Sequence, residues 1–111
     1  MSELEQPLAY QIPARMPYDG RMDPECVALC NALNALPGIQ TFESCCGHGE
    51  HPFWIFFFSA KKQDLEPVLK ALDHRWQVLV SHVDCPYRVV FLLEGPIDPK
   101  AGDELAEYVH V

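Results

Sequence analysis

The sequence predicts an α+β domain, a two-layer sandwich in which about four mainly antiparallel strands carry helices on one face. Apolar residues recur at spacings of three and four in segments typical of amphipathic helices, and other segments are short apolar runs typical of strands. These segments follow one another as helix–strand–strand twice, with a further helix at the C-terminus. Because the chain has 111 residues and is 49% hydrophobic, we expect a single domain, residues 1–111, with its own core.

The first helix is predicted to begin at Asp23-Pro24-Glu25, where an N-cap acceptor precedes a proline at the first helical position. It ends at Pro37-Gly38. Its apolar stripe consists of Cys26, Leu29, Cys30, Leu33 and Leu36. Because free cysteine is often buried, we expect the two cysteines of this stripe to be core residues and not ligands. Residues 1–22 show no regular period and are predicted to be an extended segment lying on the domain.

Four strands are predicted, at residues 39–45, 53–59, 76–83 and 87–94. The second is apolar on both faces, so we expect it to be central in the sheet and covered on both sides. A second helix is predicted to be capped by Asp64, and its stripe consists of Leu65, Val68, Leu69 and Leu72. A closing helix is predicted over residues 98–109, with Leu105, Tyr108 and Val109 directed inward.

The predicted topology sorts the chemically interesting residues between the two ends of the sheet. If the second helix is a standard crossover, the second and third strands run parallel to each other. Loop 44–52 then lies at the same end as the start of the first helix at Asp23, Arg75 and the end of the fourth strand at Glu94. The turn at residues 84–86 and His82 lie at the opposite end.

The loop between the first two strands is the chemically richest part of the chain. Residues 41–51 read T-F-E-S-C-C-G-H-G-E-H, whereas a loop that only turned the chain would need no cysteine or histidine. Its glycines allow backbone N–H groups to face a ligand, and the helix start supplies a dipole at the same end. We therefore expect this loop to bind a small, nucleotide-like or other anionic ligand. The predicted ligand-binding residues are Arg21, Asp23, Thr41, Ser44, Cys45, Gly47, His48, Gly49, His51 and Arg75.

Three alternatives concern the same loop. The first is a zinc site formed by Cys45, His48 and His51, since thiolate and imidazole are ligands that zinc prefers. The second is a nucleophilic Cys45 or Cys46 beside His48, for which the sequence identifies no third residue to orient the imidazole. The third is a tight glycine turn whose cysteines only pack and whose histidines only face water.

A resemblance to a known family rests on a short pattern around this loop. Gly20-Arg21-Met22-Asp23 leads into a helix ending at Leu33-Asn34, which is followed by Thr41 and by Ser44-Cys45-Cys46-Gly47-His48. Over roughly residues 18–58 this pattern resembles the wybutosine-synthesis tRNA methyltransferase family. The resemblance implies S-adenosylmethionine and a modified RNA base as ligands of Asp23, Thr41, Ser44, Cys45 and Gly47. Cys46 stands where the family has serine, and His48 where it has arginine.

Composition narrows the range of partners and the expected location. A formal net charge of −8, with only eight basic residues, opposes an extended nucleic-acid surface. Residues 1–7 show no basic region followed by an apolar run, and the longest apolar block, residues 53–58, is too short to cross a bilayer. Together with five cysteines, these features predict a cytoplasmic protein with reduced thiols and no membrane partner.

The predicted architecture also bears on assembly and on the kind of protein this is. Two or three helices cover only one face of the sheet, so we expect a homodimer that buries the other face through the sheet or through strand edges. Compact, acidic binding proteins of this type include those with which phages sequester nucleotide signals. A sequestering phage protein is therefore one hypothesis for its function, based on this analogy.

Overall fold

The computed structural model describes residues 22–84 and 88–110. The predicted extended segment, apart from Met22, lies outside these residues, as do Arg21 and the turn residues 85–87. Within them, the elements are α1 (Pro24–Asn34), β1 (Ile39–Cys45), β2 (Trp54–Ser59), α2 (Glu66–Ala71), β3 (Gln77–Asp84), β4 (Arg88–Glu94) and α3 (Ala101–Ala106). This is the predicted order of elements. None of the helices in the described ranges has the length and apolar character that a bilayer crossing requires.

The four strands form one sheet in the order β1-β2-β4-β3, and every neighbouring pair is antiparallel. β2 and β4 are therefore the central strands, as the apolar character of β2 on both faces predicted. Because both β2 and β3 are antiparallel to β4, they run parallel to each other without being neighbours. The predicted direction of the second crossover is thus confirmed.

The main core lies between the helices and one face of the sheet. Its sheet side is formed by alternate residues of the central strands, with Ile55 of β2 opposite Leu93 of β4, and Leu93 opposite Val78 of β3. The helices contribute Leu29 and Leu33 of α1, together with residues of α2 and α3. Full burial of such a side chain contributes about 2–3 kcal/mol. The predicted two-layer α+β sandwich, with its helices on one face, is confirmed.

The opposite face of β2 carries a row of aromatic rings. Phe42 stacks on Phe58, with 4.6 Å between ring centroids, and on Phe56, with 6.0 Å. Trp54 contacts the edge of Phe56 at 5.3 Å. Phe42 is 45% exposed whereas Phe58 is 7% exposed, so this aromatic row is unevenly covered.

Both shorter helices differ from their predictions. α2 is preceded by a tighter turn, Lys62–Leu65, that contains Asp64, so the residue before the helix is Leu65 and Asp64 does not cap it. Because this tighter turn has about three residues per turn, it breaks the 3.6-residue period of the predicted stripe, and Leu69 is 51% exposed.

α3 spans only Ala101–Ala106, since the chain leaves the helical path before Tyr108. Leu105 and Val109 are buried as predicted. Tyr108 is 64% exposed, so its predicted inward direction is wrong. The tyrosine follows the helix in a turn and therefore no longer shares the face that carries Leu105.

Candidate functional site

Asp23 links the start of α1 to the loop that follows β1. It occupies the N-cap position, but its side chain makes no hydrogen bond to the first turn of the helix. Its Oδ2 atom instead accepts a hydrogen bond of 3.0 Å from the backbone N–H of Cys46. The predicted position of Asp23 is thus confirmed, whereas its expected role as a side-chain cap is wrong. The carboxylate holds the loop against the helix.

The loop reverses direction through three consecutive residues in the left-handed region. Gly47 has φ 80°, His48 φ 55° and Gly49 φ 79°. Glycine adopts this conformation readily, whereas a residue with a side chain costs about 1–2 kcal/mol there. A Cβ atom on Gly47 would also lie only 3.0 Å from the carbonyl oxygen of Pro52. The turn therefore needs the flanking glycines, and it holds His48 in a conformation that its own side chain disfavours.

The backbone N–H groups of the loop are directed at acceptors within the protein. The N–H of Gly47 donates to Cys45 Sγ, and the N–H of His48 donates to Cys46 Sγ, each at 3.4 Å. With the N–H of Cys46 donating to Asp23, three successive N–H groups have internal partners. Hydrogen bonds of this kind stabilise negative charge on sulfur and oxygen. They favour a loop that stabilises its own anionic side chains over a loop that cradles an external anion.

Three side chains of different chemistry converge at this end of the sheet. A carboxylate oxygen of Asp23, Cys45 Sγ and a ring nitrogen of His48 all lie within 4.8 Å of one another. His48 Nε2 lies 3.7 Å from Asp23 Oδ2. The other ring nitrogen, Nδ1, lies 3.6 Å from Cys46 Sγ. When Nδ1 carries the proton and donates it to this sulfur, Nε2 presents a lone pair toward the carboxylate.

The site is half open to solvent. The side chain of His48 is 65% exposed and that of Asp23 is 23% exposed. Cys45 is half-buried, whereas Cys46 is 2% exposed. An ion or small ligand can therefore reach the His48 side of the cluster, while the Cys46 side is closed by the protein.

The environment acts in opposite directions on the two buried acidic groups of the site. The backbone hydrogen bond from Cys46 lowers the pKa of Asp23 below its usual value, and the neighbouring thiols and His48 lower it further against the opposing effect of burial. Burial raises the pKa of the Cys46 thiol, and the hydrogen bond from the His48 N–H only partly offsets this. At neutral pH and without a bound cation, the site therefore contains a carboxylate beside a protonated Cys46.

The orienting group that the sequence did not identify for a nucleophilic cysteine is present. Cys46, His48 and Asp23 follow one another at 3.6 and 3.7 Å in the order thiol, imidazole and carboxylate. The thiol is nevertheless almost fully buried, and burial raises its pKa. A reactive cysteine needs an accessible thiolate. Cys46 therefore fits a supporting role for His48 better than a role as nucleophile.

Two of the predicted ligand-binding residues face the helical layer. The hydroxyl of Ser44 lies within hydrogen-bonding reach of the thiols of Cys26 and Cys30. Both thiols are buried, as the stripe of α1 predicted, and burial raises the pKa of Cys26 to about 12. Thr41 is 8% exposed and exchanges two hydrogen bonds with the side chain of Asn34. These contacts join α1 to β1 and place neither residue at the surface of the loop.

The remaining predicted residues are dispersed. Gly49 and His51 are exposed, and the backbone N–H of His51 donates to Gly47 O at 3.0 Å. The convergent cluster contains Asp23 in the place that the sequence assigned to His51. Arg75 pairs with Asp73 at 3.0 Å and with Glu104 at 3.2 Å. It lines a separate cavity of about 380 Å³ that also contains Trp76 and Tyr108.

Sequence reasoning placed Asp23 among the ligand-binding residues but not among the metal ligands. The available signal was topological, since the start of α1 was expected at the same end of the sheet as the loop. Its weakness was the usual meaning of an aspartate before a helix, which is a cap. Pro24 has no N–H group to offer at the first helical position, and the carboxylate is used by the loop instead.

No family model, curated protein or solved structure matches this chain. The similarity to the wybutosine-synthesis tRNA methyltransferase family stays a prediction that depends on the loop residues. The function of this protein is consequently inferred from the geometry of its site.

Proposed function

We propose that this protein binds a thiophilic divalent metal ion, with Zn²⁺ as the best match, through Asp23, Cys45 and His48. The observation that carries the proposal is the convergence of their oxygen, sulfur and nitrogen atoms to within 4.8 Å of one another. Zinc binds these three atom types at about 2.0–2.3 Å, which gives about 3.3–3.8 Å between ligands in a tetrahedron. The 3.7 Å between His48 Nε2 and Asp23 Oδ2 falls in this range.

Each proposed ligand is held by a further contact. Asp23 accepts the N–H of Cys46, and Cys45 accepts the N–H of Gly47. His48 is held through Nδ1 by the sulfur of Cys46. Such outer contacts orient metal ligands and are typical of metal sites. They support a cluster that needs little rearrangement to close around an ion.

Charge also favours a cation over an anion at this site. Asp23 is ionised at neutral pH because its pKa is lowered, and Glu25 lies near enough to act on Cys46. Metal binding would ionise Cys45 as well, since thiolate is the form that coordinates. Arg75, the described arginine predicted for the site, is already paired elsewhere.

Three protein ligands leave a fourth position for water or an external ligand. The exposed side of His48 places that position toward solvent. The anionic, nucleotide-like ligand predicted from the sequence fits here as a second candidate, with the metal supplying the positive charge. Whether such a ligand is sequestered or modified, as the methyltransferase resemblance implies, stays a prediction.

The direct test is calorimetric titration of Zn²⁺ into reduced, metal-free protein at neutral pH. We expect one ion per chain, and loss of a ligand in His48→Gln or Cys45→Ser should weaken binding about 100-fold or more. The matched control is His51→Gln, because this exposed loop histidine lies outside the cluster and should leave the affinity unchanged. If His51→Gln weakens binding as much as His48→Gln, the ligand set is wrong.

Co²⁺ distinguishes the roles of the two adjacent cysteines. A thiolate ligand gives a charge-transfer band with Co²⁺, which should disappear in Cys45→Ser and persist in Cys46→Ser. No Zn²⁺ binding by the wild-type protein, or a cobalt spectrum without a thiolate band, would contradict the proposal.

A further inference from the structure

The outer edge of β3 has no partner strand among the described residues. β3 is the last strand in the order β1-β2-β4-β3 and contains eight residues. Leu79 is 42% exposed, Val80 65% and Val83 66%. An edge of this kind presents unpaired N–H and C=O groups to any strand that can align with it.

This edge lacks most of the features that protect strand edges from association. Residues 77–83 read Q-V-L-V-S-H-V and contain no proline, no lysine and no formally charged residue. The strand does contain a local irregularity, where its register with β4 shifts between Val80 and His82. β1, at the other edge, has a comparable shift and also carries Glu43 near its centre. The β3 edge is therefore the less protected of the two.

We propose that β3 pairs with β3 of a second copy of this chain, antiparallel about a twofold axis, to form a continuous eight-stranded sheet. Antiparallel pairing of one strand with itself is self-complementary, because each donor row meets an identical acceptor row.

Charge selects a second copy as the occupant. The chain has a formal net charge of −8, so two copies repel each other over most of their surfaces. The uncharged segment 77–83 allows a close approach without placing like charges in contact. A basic partner would gain most from the acidic surfaces elsewhere and little from this segment.

The exposed valines explain why the pairing would bury apolar surface as well as backbone groups. Val80 lies opposite Phe91 in the register of the sheet, and Phe91 stacks on Phe57 of the core at 5.5 Å. Val80 thus continues the core-facing row to the edge, where it is 65% exposed. In the pair, the equivalent row of the second copy would continue it on the other side of the axis.

Light scattering of reduced protein in EDTA tests this pairing without any contribution from metal bridges. We expect a mass of twice 12.6 kDa at high micromolar concentration. Val80→Lys or Val83→Lys should raise the dissociation constant by about tenfold or more, because twofold symmetry places both new charges in one interface. Both sites are exposed, and circular dichroism checks that the variants remain folded.

Leu69→Lys is the matched control, since Leu69 is 51% exposed on α2 and lies away from this edge. It should leave the dissociation constant unchanged. A wild-type mass of 12.6 kDa at every concentration overturns the proposal. So does a dimer that Leu69→Lys weakens equally, or one that resists both β3 substitutions and dissociates in Phe42→Lys, which would place the contact on the aromatic row.

Discussion

Replacing Asp23 tests whether this carboxylate anchors the loop. Asp23→Ala removes the acceptor of the Cys46 N–H, a 3.0 Å hydrogen bond to an ionised group. Hydrogen bonds to charged groups contribute about 1.5–3 kcal/mol. Since the Asp23 side chain is 23% exposed, water replaces part of this contact. We therefore expect a loss of about 2 kcal/mol in metal-free protein, or about 8 °C in Tm for a domain of this size.

Asp23→Asn separates the hydrogen bond from the charge. The amide oxygen still accepts from Cys46, so the loss should be smaller, about 1 kcal/mol at neutral pH. The pKa of Asp23 is lowered in the folded state, so its ionisation stabilises the protein above the unfolded value near 3.8. This contribution disappears as the pH falls through the folded-state pKa. The difference in stability between wild type and Asp23→Asn should accordingly be largest at neutral pH and vanish in acid.

Urea unfolding, followed by tryptophan fluorescence in EDTA and reductant, measures both effects because Trp76 is buried in the core. Asp103→Asn is the control, since Asp103 is an exposed acid in the first turn of α3. It should change the unfolding free energy by less than about 0.5 kcal/mol. An unchanged stability of Asp23→Ala, or a difference from Asp23→Asn that does not depend on pH, would refute the anchoring role.

Two further substitutions test the contacts on either side of the site. Asn34→Ala removes both hydrogen bonds to Thr41, of 2.7 and 2.8 Å, and should lower the unfolding free energy by about 2–3 kcal/mol. The exposed Asn31→Ala on the same helix serves as its control, and equal losses in the two variants would contradict this. His48→Gly relieves the positive φ of 55° and should stabilise the metal-free protein by about 0.5–1 kcal/mol while abolishing Zn²⁺ binding. Lower stability of metal-free His48→Gly would show that the imidazole contacts outweigh the backbone strain.

The local patterns of the sequence determined the layered architecture and the location of the chemistry. The spacing of Leu29 and Leu33 predicts the buried face of α1, and the apolar residues on both faces of β2 predict its central place. These predictions succeed because a helix and a strand repeat over distances of a few residues. The same reasoning fails at Leu69, where a tighter turn before α2 changes the period.

The composition of the loop, with its cysteines, histidines and glycines, marked the site but did not determine which side chains meet there. That depends on packing, since Asp23 and Cys45 are distant in sequence and come together because α1 lies on the sheet with its start against the loop. It also depends on the left-handed turn at His48, which brings this histidine to the carboxylate, whereas His51 is exposed outside the cluster. The sequence by itself determined which residue types are available, and only the tertiary structure decided which of their atoms lie within reach of one ion.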